Sequence, residues 1–214
     1  MPVPARRSER SAADFLPPRL NLPALRAAAA GCRGCDLYRN ATQTVFGEGK
    51  RSARVVVIGE IPGDQEDKAG RPFIGPAGRL LRRALLDAGV PLESVYITNA
   101  VKHFKWVAHG KRRVGEAPTG GEIHACRPWL DAEIEVLRPR LLSCLGASAV
   151  HAVLGRKVLI KEVRDELVST PFGVPAFVTV HPSSLLRMGQ VSDQARAYRR
   201  FVDDLQRLRQ YCGE

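Results

Sequence analysis

The sequence lacks any apolar run near the ~20 residues that a membrane span requires. Its opening stretch, MPVPARRSERSAADF, has no apolar core of the kind that directs secretion. Both absences point to the cytoplasm. Acidic residues are in short supply, 22 Asp and Glu against 33 Lys and Arg, which leaves a net charge of +11. Such an excess favours a polyanionic partner, and nucleic acid is the commonest one. Cysteine is scarce and odd in number, five in all. That count argues against a disulfide framework and for metal or thiol chemistry. No segment repeats another, and no internal boundary divides the chain, so the 214 residues suffice for one core with an appended segment. Residues 1–22, rich in Pro, Arg and Ser, have little apolar periodicity and read as a flexible or loosely docked arm ahead of a domain over 23–214.

What is present within that domain alternates. Four short β-branched or apolar runs read as buried strands: ARVVVIGE (53–60), SVYITNAV (94–101), RLLSCLG (140–146) and PAFVTV (175–180). Between and after them lie helical patterns. Residues 76–90 place Leu80, Leu81, Leu85 and Leu86 on one face, 122–139 and 147–155 form two more helices, and the last, 192–211, spaces Phe201, Val202, Leu205 and Leu208 along one side. Strands alternating with helices predict a three-layer α/β/α sandwich around a four-stranded parallel sheet. In such sheets ligands sit outside the carboxyl ends of the strands. Four polar motifs fall there: GEIPGDQED, TNAVKH, LGAS and HPSS.

Ahead of the first strand, GCRGCDLY supplies Cys32 and Cys35 as a C-x-x-C pair. Two sulfurs on one tight turn suit zinc or an iron–sulfur cluster. The remaining ligands come from Cys126, His103, Cys144, Cys212 and His124. Cys144 lies in an apolar strand, where a free thiol behaves as a small hydrophobe, and Cys212 sits at the chain end. Cys126 and His103 are left. The pattern alone does not choose between zinc and iron–sulfur.

Four stretches in order, GEIPGDQEDKAGRPFIGPAGRLL, ITNAVKHFK, ACRPWL and TVHPSSLLR, together with the leading C-x-x-C, resemble the uracil-DNA glycosylase superfamily. The resemblance covers roughly residues 28–210 and is closest to the iron–sulfur family 4 enzymes, especially the UdgX-type branch. It implies a 4Fe–4S cluster held by Cys32, Cys35, His103 and Cys126, with His103 standing where family 4 has a cysteine. An imidazole in place of a thiolate removes one negative charge and raises the cluster potential. Base excision needs no electron transfer, so the cluster's expected role is structural.

The resemblance also turns an acidic loop into a catalytic one. Breaking the glycosidic bond of deoxyuridine builds positive charge on the sugar and negative charge on the departing base. Glu60 and Asp64 match the carboxylates that would stabilise the sugar cation and orient water, and His181 matches the group that would hold uracil O2. Phe73 matches the stacking aromatic, Asn99 the reader of the base edge, and Ile61 a position lining the uracil site. The base must be flipped out of the stack first. Ser183, Ser184 and Arg187 would clamp phosphates beside it.

Between His103 and Cys126 the chain carries HGKRRVGEAP, whose Gly110, Gly115 and Pro118 argue against a helix and for a mobile loop. UdgX-type members resemble this stretch with a Lys-Arg-Arg-Ile-His loop, whose histidine attacks the sugar and traps the DNA. Gly115 stands at that position here, and Ile61 where the branch usually has Gln. The expectation is loss of trapping and release of an abasic product, with Lys111, Arg112, Arg113 and Gly115 facing the DNA. His109, six residues before Gly115, belongs to the linker and does not match the nucleophile. The expected partner is uracil-containing DNA, single-stranded ahead of double-stranded, bound by a monomer. The competing expectation is a protein that binds or traps uracil or abasic DNA with little turnover.

Overall fold

The computed structural model describes residues 10–213. Five strands form the main sheet: β1 (Val55–Gly59), β2 (Val95–Asn99), β5 (Leu141–Leu145), β6 (Leu167–Val168) and β7 (Ala176–Thr179), in the order β2-β1-β5-β7-β6. The four strands expected from the sequence pair in parallel. The fifth, β6, is a two-residue antiparallel addition at the edge, too short and polar-flanked to register as a strand by alternation. Each parallel strand is buried on both faces, which is why these runs read as continuous Val, Ile and Leu.

One face is covered by α1 (Leu22–Ala29), α4 (Gly120–Leu137) and α5 (Ala147–Leu154), whose Leu25, Trp129, Leu130 and Val150 pack with Val56, Ile58 and Leu142 of the sheet. The other is covered by α3 (Pro76–Asp87) and α8 (Val191–Gln206), whose Leu81, Leu85, Phe201 and Leu205 meet Val55, Val57, Ile97 and Leu141. The α3 face is narrower than the leucine pattern implied. Leu86 is 58% exposed, and Ala84 takes the inward place. Short helices α2 (Asp64–Ala69), α6 (Ile160–Val163), α7 (Pro182–Leu186) and α9 (Arg209–Cys212) fill the connections. A second, separate sheet is a hairpin of β3 (Trp106–His109) and β4 (Arg112–Gly115).

The expected N-terminal arm splits. Residues 1–9 lie outside the described residues. From Ser11 the chain is docked: a 3₁₀ turn over Ala12–Phe15, capped by the Ser11 hydroxyl, buries Ala12 in the core on the α1–α4 face.

Within that core is a charge cluster that hydrophobic patterning does not announce. Lys102 and Glu133 are 1% and 0% exposed, with Lys102 Nζ 2.5 Å from Glu133 Oε2. Glu133 also accepts from the Tyr96 and Thr98 hydroxyls and from the Gly47 amide, while Nζ donates to Thr98 Oγ1 and the Asn99 carbonyl. Every strong donor and acceptor in the hub has a partner, as burial at this depth demands.

Removing one partner of this pair strands the other charge in the core. Lys102→Met alone should cost about 3–5 kcal/mol of unfolding free energy, and the paired Lys102→Met/Glu133→Leu variant should recover most of it. Urea unfolding of the two variants beside the parent checks this.

Candidate active site

Strand order reverses at β1, whose neighbours β2 and β5 lie on opposite sides. The crevice beyond the carboxyl ends there is where an open α/β sheet receives a ligand. A cavity of about 810 Å³ occupies it, walled by Glu60, Ile61, Phe73, Asn99, Gly115 and His181 with their neighbours. Asp64, Ser183, Ser184 and Arg187 also reach it. The four motifs picked from the sequence thus converge on one hollow.

Its floor depends on an absent side chain. A Cβ at Gly59, the last residue of β1, would come within 2.4 Å of both Asn99 Oδ1 and Phe73 Cζ. Gly59 is also the register partner of Asn99 across the β1–β2 ladder. Phe73 itself holds φ at +53°, an uncommon backbone for an aromatic residue, and its ring lies 5.9 Å from that of His181, tilted by 36°. Asn99 is 2% exposed and its Oδ1 is buried without a partner. A buried amide oxygen facing a cavity with nothing to accept from is a binding group awaiting a donor. Its backbone does not share that freedom, since the Asn99 carbonyl is held by Lys102 Nζ at 2.9 Å.

His181 caps α7. Its Nδ1 accepts from the Ser183 amide at 3.2 Å and stands 2.8 Å from the Ser183 hydroxyl, which in turn accepts from Arg187 at 3.1 Å. With Nδ1 acting as acceptor, the proton of the neutral ring sits on Nε2. Burial, helped by the Arg187 charge, pushes the ring's pKa down to about 4. Ser184 is likewise engaged, its hydroxyl donating to the His181 carbonyl at 2.7 Å.

The stretch expected to be a mobile loop is the β3–β4 hairpin, turning at Gly110 with φ of +60°. Its alternation was hidden by glycine and by charges on both faces. The three basic residues divide. Lys111 and Arg112 are exposed at the tip. Arg113 turns inward, a departure from the expected free phosphate contact. Its Nε donates to Asp64 at 2.6 Å and its Nη1 to Asp67 at 2.7 Å, and its guanidinium stacks 5.4 Å from the Phe104 and Trp106 rings. Asp64, expected beside the sugar, is accordingly drawn into a clasp. Lys68, 2.6 Å away, and Arg113 hold its carboxyl below the usual range. Glu60 has no such partner among the described hydrogen bonds and salt bridges. Gly115 lines the cavity wall, and His109 does not.

The candidate metal residues lie on the α1–α4 side. Cys32 and Cys126 are buried, Cys35 is partly so. Burial pushes the Cys35 thiol up and the Cys126 thiol to about 12, with the neighbouring thiols adding a smaller push in the same direction. Cys32 Sγ accepts from the Trp129 indole at 3.2 Å and from the Gly34 amide at 3.5 Å, and Cys126 Sγ from the Lys102 amide at 3.3 Å. His103 Nε2 stands 2.8 Å from the Thr44 hydroxyl, which donates to the Ala29 carbonyl just before the Cys32 turn. That relay puts the ring proton on Nε2 and leaves the Nδ1 lone pair available. Among the described residues no group of three or more His, Cys, Asp or Glu is drawn together tightly enough for a single ion. Three thiols and one oriented imidazole on this side of the sheet make a sulfur-rich donor set, the chemistry that suits an iron–sulfur cluster or zinc. Cys144 is buried in β5 and Cys212 half-buried at the chain end, both outside this group.

Sequence reasoning missed Lys102, Glu133, Asp67, Phe104 and Thr44. Lys102 and Glu133 left little trace, because Lys102 sits beside His103 and near Lys105, and Glu133 lies between Asp131 and Glu135, so neither stands out in the sequence as a buried charge. Asp67 and Thr44 left none, because their role is to hold Arg113 and His103 from distant parts of the chain.

The cavity at the switch point thus brings together an unpaired buried amide oxygen, an aromatic ring and the histidine that caps α7. The model of the uracil DNA glycosylase superfamily matches residues 46–206. The chain belongs to the uracil-DNA glycosylase superfamily. It is 37% identical over 182 residues to the type-4 uracil-DNA glycosylase of Thermotoga maritima, covering 84% of this chain and 88% of that one. The type-4 enzymes of Pyrobaculum aerophilum and Archaeoglobus fulgidus are 34% and 30% identical, over 78% and 86% of this chain and 86% and 89% of theirs.

Protonating His181 would turn Nδ1 into a donor facing the Ser183 amide, so the folded state disfavours the charged ring. Ring-resolved NMR should find His181 titrating near 4 rather than near its ordinary 6.5, and Arg187→Ala should move it upward by removing one of the two causes of the depression.

Proposed function

We propose that the protein is a uracil-DNA glycosylase that hydrolyses the N-glycosidic bond of deoxyuridine, releases uracil and leaves an abasic site. The observation that carries this is the buried, unpartnered Asn99 Oδ1 in a cavity shared with a neutral His181. The amide oxygen accepts from uracil N3–H and the amide nitrogen donates to O4. Cytosine offers an amino group at the fourth position and no proton on N3, so both contacts fail and buried polar groups stay unpaired. Phe73 supplies the stacking wall. The Nε2 proton of His181 holds O2 as charge builds on the leaving base, a contact that strengthens as the bond breaks. On the sugar side, Glu60 is the carboxylate free to stabilise the cation. Asp64, held ionised by Arg113 and Lys68, orients water and ties the hairpin to the loop that bears Glu60.

Lys111 and Arg112 at the hairpin tip, with Arg187 on the opposite rim, contact phosphates of the strand carrying the flipped nucleotide, single-stranded or double-stranded. Cys32, Cys35, Cys126 and His103 hold a 4Fe–4S cluster, which braces the N-terminal turn against α4 and the segment after β2. When bound it supplies rigidity there, and every contact to base and sugar comes from side chains. A protein purified with the cluster should be brown, and chelating the iron should bleach it and lower its thermal unfolding midpoint.

At Gly115 no side chain stands between solvent and the sugar, which leaves room for water to complete the reaction. Its Cβ position lies 3.1 Å from the Phe104 ring edge, so a larger residue fits with a small shift of that ring.

Incubation with a uracil-containing oligonucleotide followed by alkali should cleave the strand at the uracil. An intact strand would overturn the reading in favour of a binding protein. Asn99→Asp should lower uracil release by about 10²-fold or more, the loss expected when a buried base-edge contact becomes mismatched. Gly115→His should yield a protein–DNA adduct that survives boiling in detergent, which the parent should not.

A further inference from the structure

Beside the active-site cavity lies a second hollow of about 700 Å³ that the reaction leaves unused. It opens between the first turns of α4 and α5 and the segment after α5, with Ile123, Val158 and Leu159 on its apolar surface and Arg156 and Lys157 at its edge. Ala147 and Ser148 line both hollows, so a single turn of α5 is the divide between them. Leu159 is 57% exposed, and Arg156 and Lys157 are exposed without an ion-pair partner among the described salt bridges. Of the described lining residues, Glu162 is the one carboxylate.

We propose that this hollow is a subsite for the DNA nucleotides that flank the flipped deoxyuridine on one side. The proposal rests on the uracil-DNA reading of the neighbouring cavity. Once the uridine is in that cavity, its strand must leave over the rim, and the rim at Ala147 and Ser148 falls directly into the second hollow. The hollow has both faces that a single strand needs, an apolar surface for a base and cations for the phosphate. The α5 N-terminus between the cavities has Gly146 as its cap, with no side-chain acceptor for its first amides, so those N–H groups add to the attraction for an anion crossing the divide. Helix α4 opens with Gly120 and Gly121, a pair that disfavours helix by roughly 1 kcal/mol each relative to alanine. Gly120 lines the hollow, and side chains there would fill it. The subsite is built by α4 and α5 on one face of the sheet, whereas Arg187 follows α7, which packs with α3 on the other face, so the two flanks of the uridine are held by different elements.

The test is a series of single-stranded oligonucleotides with one uracil, in which the 5′ and 3′ flanks are lengthened separately from one to six nucleotides. For the parent protein, lengthening one flank should lower KM about tenfold within the first two or three nucleotides, and lengthening the other should not show the same step. Arg156→Ala/Lys157→Ala should abolish that step with kcat unchanged, and should flatten the slope of log affinity against log salt by about 1–1.5, the release expected from two single-strand phosphates. Leu159→Asp should weaken the same step without altering the shortest substrate. A double variant that keeps the full step, or that weakens the shortest substrate as much as the longest, would overturn the subsite. Fluorescence anisotropy on the same oligonucleotides reads the flank dependence independently of base release. Loss of preference for uracil over thymine in the parent would instead count against the base-reading site, so the two failures are distinguishable.

Discussion

The Lys102–Glu133 pair is the contact on which the site depends. Asn99 has to be both fixed and unsatisfied: its side chain must face the cavity without a protein partner, while its backbone must not move. The ammonium of Lys102 meets the second condition by donating to the Asn99 carbonyl, and Glu133 holds the ammonium. The amide of the same lysine donates to Cys126 Sγ. One residue therefore joins the carboxyl end of β2, where Asn99 lines the cavity, to Cys126 on α4. A buried pair of this kind adds little net stability compared with apolar packing. Its value here is geometric, because the two charges leave the strand end only one low-energy arrangement.

Around this anchor the site is assembled from pieces that each keep one valence free. His181 has its inner nitrogen filled by the Ser183 turn, so the outer one carries a proton. Glu60 is left alone, whereas neighbouring Asp64 and Asp67 are neutralised by Arg113. A loop with four carboxylates beside a basic surface is puzzling until three of them are accounted for: two clasp the hairpin, and Glu66 accepts from the Gly75 amide. Of the four, Glu60 alone is left without a partner among the described hydrogen bonds and salt bridges, on the wall of the cavity.

The sheet was legible because a parallel, doubly covered strand must be mostly apolar, and the runs 53–60, 94–101, 140–146 and 175–180 are, with Thr98, Ser143 and Thr179 as buried polar exceptions. The rim was legible because polar residues directly after such runs have nowhere to go but the crevice. What escaped the sequence was pairing between distant residues. Arg113 belongs to a run of three cations that looks uniformly solvated, and only the fold shows that its side chain crosses to Asp64 and Asp67. The hairpin escaped for a related reason: its strands lack a buried face of their own, with Val107 and Val114 both about half exposed, so no hydrophobic alternation marks it. Conversely, Leu86 carried the right spacing but lay just beyond the reach of the sheet.

That hairpin shares no ladder with the main sheet. It hangs on the domain by an arginine clasp, an indole donating to the Asn40 carbonyl, and its own covalent ends. An appendage attached in this way can exchange the residue at its inner edge while the helix-covered sheet behind it is undisturbed. Under the proposed role of Gly115, a change at that one position alters the fate of the product without touching the strand ends that wall the cavity.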